Sequence, residues 1–280
     1  MVAERSGVIN LGIEGMMLIG AVTGYLAMNE TASLATGVAA ALAAGALVAS
    51  VHAFFSVSVR ANQIISGLGI TIAGTGLAAL LGRSVVGVPA RATFDDLHVP
   101  LLGDIPWLGG ILFDQHALVY VGYVLAPVVW WTLRRTRVGL HLRAVGENPA
   151  AADAMGVRVD VYRYGAVLFG GALAGLAGAS FSLAESPGWT EGMTAGRGWI
   201  ALALVIFATW NPMRALLGAY FFGALDVLAF RAQIIGVDVP ATILGMIPYV
   251  ATIVVLTIVT VLGARKRLGA PAALGVPYVR

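Results

Sequence analysis

The feature that most constrains this chain is a series of nearly uncharged apolar runs, most of them about 20 residues long. Eight can be drawn: Val8–Met28, Leu34–Ser58, Gln63–Leu81, Ala117–Leu133, Val161–Ala184, Gly198–Trp210, Met213–Phe230 and Ala241–Leu262. A continuous run of that length crosses a bilayer core as a helix, whereas a barrel strand alternates apolar and polar residues over about ten positions. In lipid each span must also satisfy its own backbone hydrogen bonds, which a helix does. Composition closes the soluble alternative: 11% of residues are charged and 59% hydrophobic, against roughly 25% charged in a soluble domain. The fold class is all-α, a polytopic transmembrane helical bundle of about eight spans forming one domain over residues 1–280. The sixth run is short, which predicts half a helix continued by a re-entrant stretch through Gly188–Gly196.

Basic residues flank the runs and set their orientation. With the N-terminus in the cytoplasm, thirteen of the 17 Lys and Arg fall inside, Arg265, Lys266, Arg267 and Arg280 among them; Arg83, Arg91, Arg197 and Arg231 fall outside. This predicts a multi-pass protein of the cell (plasma or inner) membrane with both termini cytoplasmic. The net charge of +3 is a topology signal and not a nucleic-acid surface. No cleavable signal sequence is expected, since the chain opens on Glu4 and Arg5 without a small-residue cleavage site. The outer loop, 82–116, carries Asp95, Asp96, Asp104 and Asp114. It reads either as a surface for an external partner or as a solvated connector with a short interfacial helix near Trp107. Small residues, among them a Gly171/Gly175 GxxxG pair with Ala174 and Gly178 beside it, predict close helix packing.

The cytoplasmic segment 134–164 is longer than a turn needs. Within it Asn148 can cap, Pro149 suits the first helical position, alanines propagate and Gly156 terminates. A short helix there serves either to dock a cytoplasmic partner or to lie on anionic headgroups. Ser6, Gly7, Asn10, Gly12, Glu14 and Gly15 interrupt the first run. Polar groups at membrane depth line a cavity or are paired, so Asn10, Gly12, Glu14 and Gly15 are candidates for a translocation pathway. The alternative for Glu14 is a cap or a pair with Arg5. Asp226 is the other acid within a run, either on the pathway or paired with Arg231 or Arg214. Glu185, Glu191, Thr194 and Arg197 form a candidate outer gate, or a plain loop. With no cysteine and four scattered histidines, no metal site is expected. No G-x-x-x-x-G-K-[ST] phosphate loop or catalytic constellation is present, so the chain is read as neither an enzyme nor a cofactor carrier.

The stretch RAVGENPAAADAMG, Arg143–Gly156, resembles the coupling-helix region of ABC importer permeases of the branched-chain amino acid, ribose and nucleoside permease family. Glu4–Ala21 (ERSGVINLGIEGMMLIGA), Gly192–Ala203 (GMTAGRGWIALA) with Trp210-Asn211-Pro212, and Pro248–Thr252 with the closing Gly275-Val276-Pro277-Tyr278 resemble its nucleoside or simple-sugar branch. The resemblance implies cytoplasmic ATPase subunits that carry the ATP, a second permease subunit (identical or related) and an extracytoplasmic solute-binding protein. It implies that Arg143, Gly146, Glu147, Asn148, Pro149, Ala152 and Gly156 couple the ATPase to transport by alternating access. Nucleosides are the expected solute, with ribose or another simple sugar as the alternative. A stand-alone ion-coupled transporter is a third reading. Related chains carry an apolar helix before the ERSGV motif and none precedes it here, which the resemblance reads as either a start upstream of Met1 or a bundle lacking one helix.

Overall fold

The computed structural model describes residues 1–106, 109–235, 239–263 and 269–279. Its helices are α1 (Val2–Arg5), α2 (Ile13–Thr31), α3 (Leu34–Ala53, continued by a π-helical turn Phe54–Ser58), α4 (Gln63–Gly82), α5 (Ala117–Arg135), α6 (Arg137–Glu147) and α7 (Pro149–Ala154). They continue as α8 (Val159–Ser180, with a π-helical turn Phe181–Glu185), α9 (Arg197–Phe207), α10 (Pro212–Ile234), α11 (Ala241–Gly245) and α12 (Ile247–Gly263). Two short strands, β1 (Asp96–His98) and β2 (Asp114–His116), pair antiparallel in the 82–116 loop, with Leu97 opposite Gln115. This hairpin is an addition to the expected all-helical fold. Trp107, Arg265, Lys266, Arg267 and Arg280 lie outside the described residues.

Among the described residues, five helices are long and apolar enough to cross a membrane: Leu34–Ser58, Gln63–Val85, Ala117–Arg135, Val159–Glu185 and Pro212–Ile234. The other three expected spans differ for local reasons. The first does not begin at Val8, because Gly7 takes φ +91° and the chain stays non-helical to Gly12. The sixth is α9, only 11 residues. The eighth is divided at Met246 into α11 and α12.

Asparagine caps start three of the helices. Asn62 accepts from the Ile64 and Ile65 amides at α4, and Asn148 and Asn211 do the same for α7 and α10, each followed by proline.

The core is α2 enclosed by α3, α4 and α8. Twelve of the 19 residues of α2 are buried, whereas α3 buries a stripe at four-residue spacing, Gly37, Ala41, Gly45 and Ala49. The seams are made of backbone on backbone. A Cβ on Gly20 would stand 2.3 Å from the Gly175 Cα, and one on Gly45 would stand 2.2 Å from the Gly171 carbonyl oxygen. The GxxxG pair is thus in the packed seam, where helices without a hydrophobic drive gain most from close approach. Outward faces are apolar: Leu47, Ile72 and Leu217 are 70%, 74% and 72% exposed. Such a surface suits lipid and not water. At the end of the bundle carrying the 82–116 loop, Trp189 is buried against Gly82. At the opposite, basic end, α1, α6, α7 and the 269–279 tail come together.

Candidate functional site

The site is organised by the break between α1 and α2. Without a helix, the amides and carbonyls of residues 6–12 need other partners. Gln63 Oε1 accepts from the Ile9 amide at 2.7 Å, and Thr71 Oγ1 donates to the Leu11 carbonyl at 2.8 Å. His52 Nε2 lies 2.9 Å from the Ile9 carbonyl, and its Nδ1 lies 3.0 Å from Ser66 Oγ. A carbonyl only accepts, so Nε2 carries the proton and the Ser66 hydroxyl donates to Nδ1. Asn10 Oδ1 accepts from the Gly12 amide at 2.9 Å. Gly15 abuts α4, where a Cβ would meet the Ile70 carbonyl at 2.6 Å. His52, Gln63 and Thr71 were not singled out from sequence, though a polar side chain inside an apolar run was the available signal.

Glu14 is buried at the start of α2 and faces the start of α9. Its Oε1 accepts from Thr194 Oγ1 at 2.5 Å and from the Gly196 amide at 2.9 Å; its Oε2 accepts from the Gly198 amide at 2.7 Å. The loop before α9 can aim these donors because Gly192, Ala195 and Gly196 take positive φ. A carboxylate on amides at a helix N-terminus also complements the helix dipole. Glu14 is therefore the cap of α9, and it has no contact with Arg5 of the kind expected as the alternative. At its other end α9 meets the same stretch of chain again. Trp210 Nε1 donates to Glu4 Oε2 at 2.8 Å, and Arg5 Nη2 donates to the Trp210 carbonyl at 3.1 Å. Eleven residues rise about 16 Å, roughly half a bilayer core, so α9 is the half-helix that the short sixth run implied.

The remaining charges meet beside the α9 start. Arg197 Nε lies 3.5 Å from Asp226 Oδ2, its Nη2 lies 4.0 Å from Glu185, and its guanidinium sits 4.8 Å above the Phe181 ring centre. Asp226 thus pairs with Arg197, and with neither Arg231 nor Arg214; Arg214 donates to Thr209 instead. Residues expected apart, on a pathway and at an outer gate, form one cluster: Thr194 is held by Glu14, while Glu185 and Asp226 flank Arg197. Arg197, Asp226 and Glu185 keep 36%, 42% and 56% of their side chains exposed. Glu191 is exposed on the loop, and Tyr249 Oη donates to the Ala195 carbonyl.

At the basic end the expected helix grammar is present. Asn148 Oδ1 accepts from the Ala151 amide at 3.0 Å, Pro149 begins α7, and Gly156 at φ +83° follows its end. Ala152 packs inward with Val145 and Val159, whereas Met155 is 84% exposed. Gly146 lies against α1, where a Cβ would stand 2.1 Å from the Arg5 carbonyl oxygen. Glu147 Oε2 accepts from the Ala272 amide at 3.2 Å, and Arg143 Nε donates to the Gly139 carbonyl at 3.4 Å. Burial holds the Arg5 guanidinium below the ordinary arginine value, and the Glu147 charge works against that.

Known proteins supply the context for this arrangement. The family described as "Branched-chain amino acid transport system / permease component" matches residues 1–264. A Haloferax volcanii protein, provisionally named a glucose ABC transporter permease, is 41% identical over 100% of this chain and 92% of its own length. The guanosine ABC transporter permease protein of Bacillus subtilis and the nucleoside ABC transporter permease protein of Lactococcus lactis are each 37% identical, over 99% of this chain and 90% of theirs. No solved structure matches. A multi-pass helical bundle with a capped half-helix, matched along nearly its whole length by transporter permeases, leaves one assignment: the chain belongs to the branched-chain amino acid transport permease family and is a permease subunit of an ATP-binding cassette transporter.

Proposed function

We propose that this permease imports nucleosides, fed by an extracytoplasmic solute-binding protein and driven by ATPase subunits that dock on α6 and α7. The observation that carries the solute is the 37% identity, over nearly the full chain, to the guanosine and nucleoside permeases. The charges agree with a neutral solute. Glu14 occupies the positive end of the half-helix, and Asp226 and Glu185 flank Arg197, so the half-helix end and Arg197 are both compensated and offer no site for an anion. Solute passes the half-exposed Arg197, Asp226 and Glu185, while Asn10, Gly12, Glu14 and Gly15 hold the wall behind them. The basic end faces the cytoplasm, and a second permease subunit, identical or related, completes the path.

A simple sugar is the second reading, favoured by the 41% identical Haloferax protein. The partner solute-binding protein separates the two by calorimetric titration with guanosine, uridine, ribose and glucose. Nucleosides are expected to bind at low micromolar Kd or tighter, and binding of ribose or glucose alone would overturn the nucleoside assignment. Reconstituting the chain without ATPase subunits addresses the stand-alone reading, which gains support only if an ion gradient then drives uptake.

The docking face has its own test. Glu147 is exposed beside Arg5, so Glu147→Lys replaces an attraction by a repulsion at the docking surface. ATPase subunits recovered with the tagged chain are expected to fall about fivefold, on the order of 1 kcal/mol, with membrane insertion unchanged. Full recovery would remove α6 and α7 from the docking role.

A further inference from the structure

Arg163 lies within α8 and is 1% exposed. A charge so placed is costly unless it is paired, yet no carboxylate among the described residues forms an ion pair with it. Two carbonyls hold it instead: Nε donates to Ser6 at 3.2 Å and Nη1 to Val276 at 3.3 Å, while Nη2 is buried without a partner. A methionine would fill much of the same space and strand no donor, so stability alone does not account for a guanidinium here.

The two carbonyls belong to the two extended segments of the basic end. Ser6 opens the α1–α2 break, and Val276 lies in the 269–279 tail. The segments also bond to each other, the Gly275 amide donating to the Gly7 carbonyl at 3.0 Å. A Cβ on Gly7 would press at 3.1 Å on both Arg163 Nη2 and the Ala273 carbonyl oxygen. The tail then reaches α6, where the Ala273 amide donates to the Gly146 carbonyl at 2.9 Å, and α7, where Tyr278 Oη donates to Asp153 at 3.1 Å. A continuous chain of bonds therefore runs from α7 through the tail and Arg163 to the break, which leads into the α2 start that carries Glu14.

We infer that Arg163 is a positioning residue for transport: it locks the tail to the α1–α2 break, so that displacement of α6 and α7 moves the break and the α9 start that Glu14 holds. This rests on the docking of ATPase subunits at α6 and α7.

The test uses the complete transporter in proteoliposomes, measuring ATP hydrolysis with and without the solute-loaded binding protein. Arg163→Met is expected to leave recovery of ATPase subunits and basal hydrolysis within about twofold of wild type, while stimulation by the binding protein falls about fivefold or more. Arg163→Lys, which can keep one carbonyl bond, should fall between. Ending the chain after Leu274 removes the Val276 acceptor, Tyr278 and the Gly275 bond to Gly7 while leaving every described helix in place, so it should lower stimulation at least to the same degree. Adding Arg163→Met to that truncation should change nothing further, as for two parts of one connection. If Arg163→Met does not accumulate, the truncation decides alone. Wild-type stimulation in either variant overturns the inference, as does an equal fall in basal and stimulated hydrolysis, which would mark a purely structural role. Failure of docking itself reads out separately, as unchanged ATPase recovery in Glu147→Lys.

Discussion

Gly178→Val should abolish recovery of the folded permease from membranes. Gly178 faces α2 in the closely packed seam between α2 and α8. A Cβ there would stand 1.8 Å from the Met17 carbonyl oxygen and 2.9 Å from the Ala21 amide nitrogen. Both are backbone atoms inside a helix, so no rotamer change relieves the clash. The helices must separate instead, and the contacts of Gly20 with Gly175 and of Gly45 with Gly171 open with them. Overpacking of a core costs typically 1–3 kcal/mol when side chains can yield. Here they cannot, and a loss above about 3 kcal/mol is expected from a total of roughly 5–15 kcal/mol. The measurement is the monodisperse peak of tagged, detergent-solubilised protein and its melting temperature. Gly69→Ala and Gly76→Ala are the controls, because nothing lies within 4 Å of a Cβ at either position. They should be neutral, or gain up to about 1 kcal/mol of helix propensity. Wild-type melting of Gly178→Val would show that the seam is not as closed as described.

Glu14→Gln should be nearly as damaging, and it separates two roles that one carboxylate can play. The native group accepts three hydrogen bonds from Thr194, Gly196 and Gly198. Glutamine offers one oxygen and turns an amide donor toward another donor. Hydrogen bonds to a charged group contribute about 1.5–3 kcal/mol each, and a helix cap about 1 kcal/mol, so about 3 kcal/mol of local stability is expected to go. The α9 start should fray, and transport should fall tenfold or more with KM little changed, accompanied by a lower melting temperature. If Glu14 met the solute directly, KM would rise and the melting temperature would stay. That result would return Glu14 from the wall to the pathway.

Much of this was legible in the sequence, because it is local. Five of the eight apolar runs appear as helices long enough to span with boundaries close to those read, since about 20 apolar residues in a row can satisfy lipid in few other ways. The Asn148-Pro149 start and the Gly156 stop formed as read because a cap is decided by neighbours. The misreadings share a different cause. The interruption of the first run by Ser6, Gly7, Asn10 and Gly12 is present, but the run drawn from Val8 starts as a helix only at Ile13, and sequence does not show that His52, Gln63 and Thr71 from other helices hold the broken backbone. For Asp226 the sequence offers the pathway or a pair with Arg231 or Arg214, its basic neighbours along the chain, while its partner Arg197 lies on α9. Arg163 passed as one more basic residue near a span end. Pairings across the bundle leave no period or spacing in a single chain, so they were out of reach.

The two attachments of α9 limit what the transporter can do as a machine. The helix is held at one end through Glu14 and at the other through Glu4 and Arg5, all three on the same short stretch of chain. A rod fastened at both ends to one neighbour has no freedom left to tilt or slide against it. If the permease cycles as proposed, α9 and the broken segment beside it are expected to travel as one unit, with relative movement left to the side where α9 meets α10 and α12 through Arg197–Asp226 and Ala195–Tyr249.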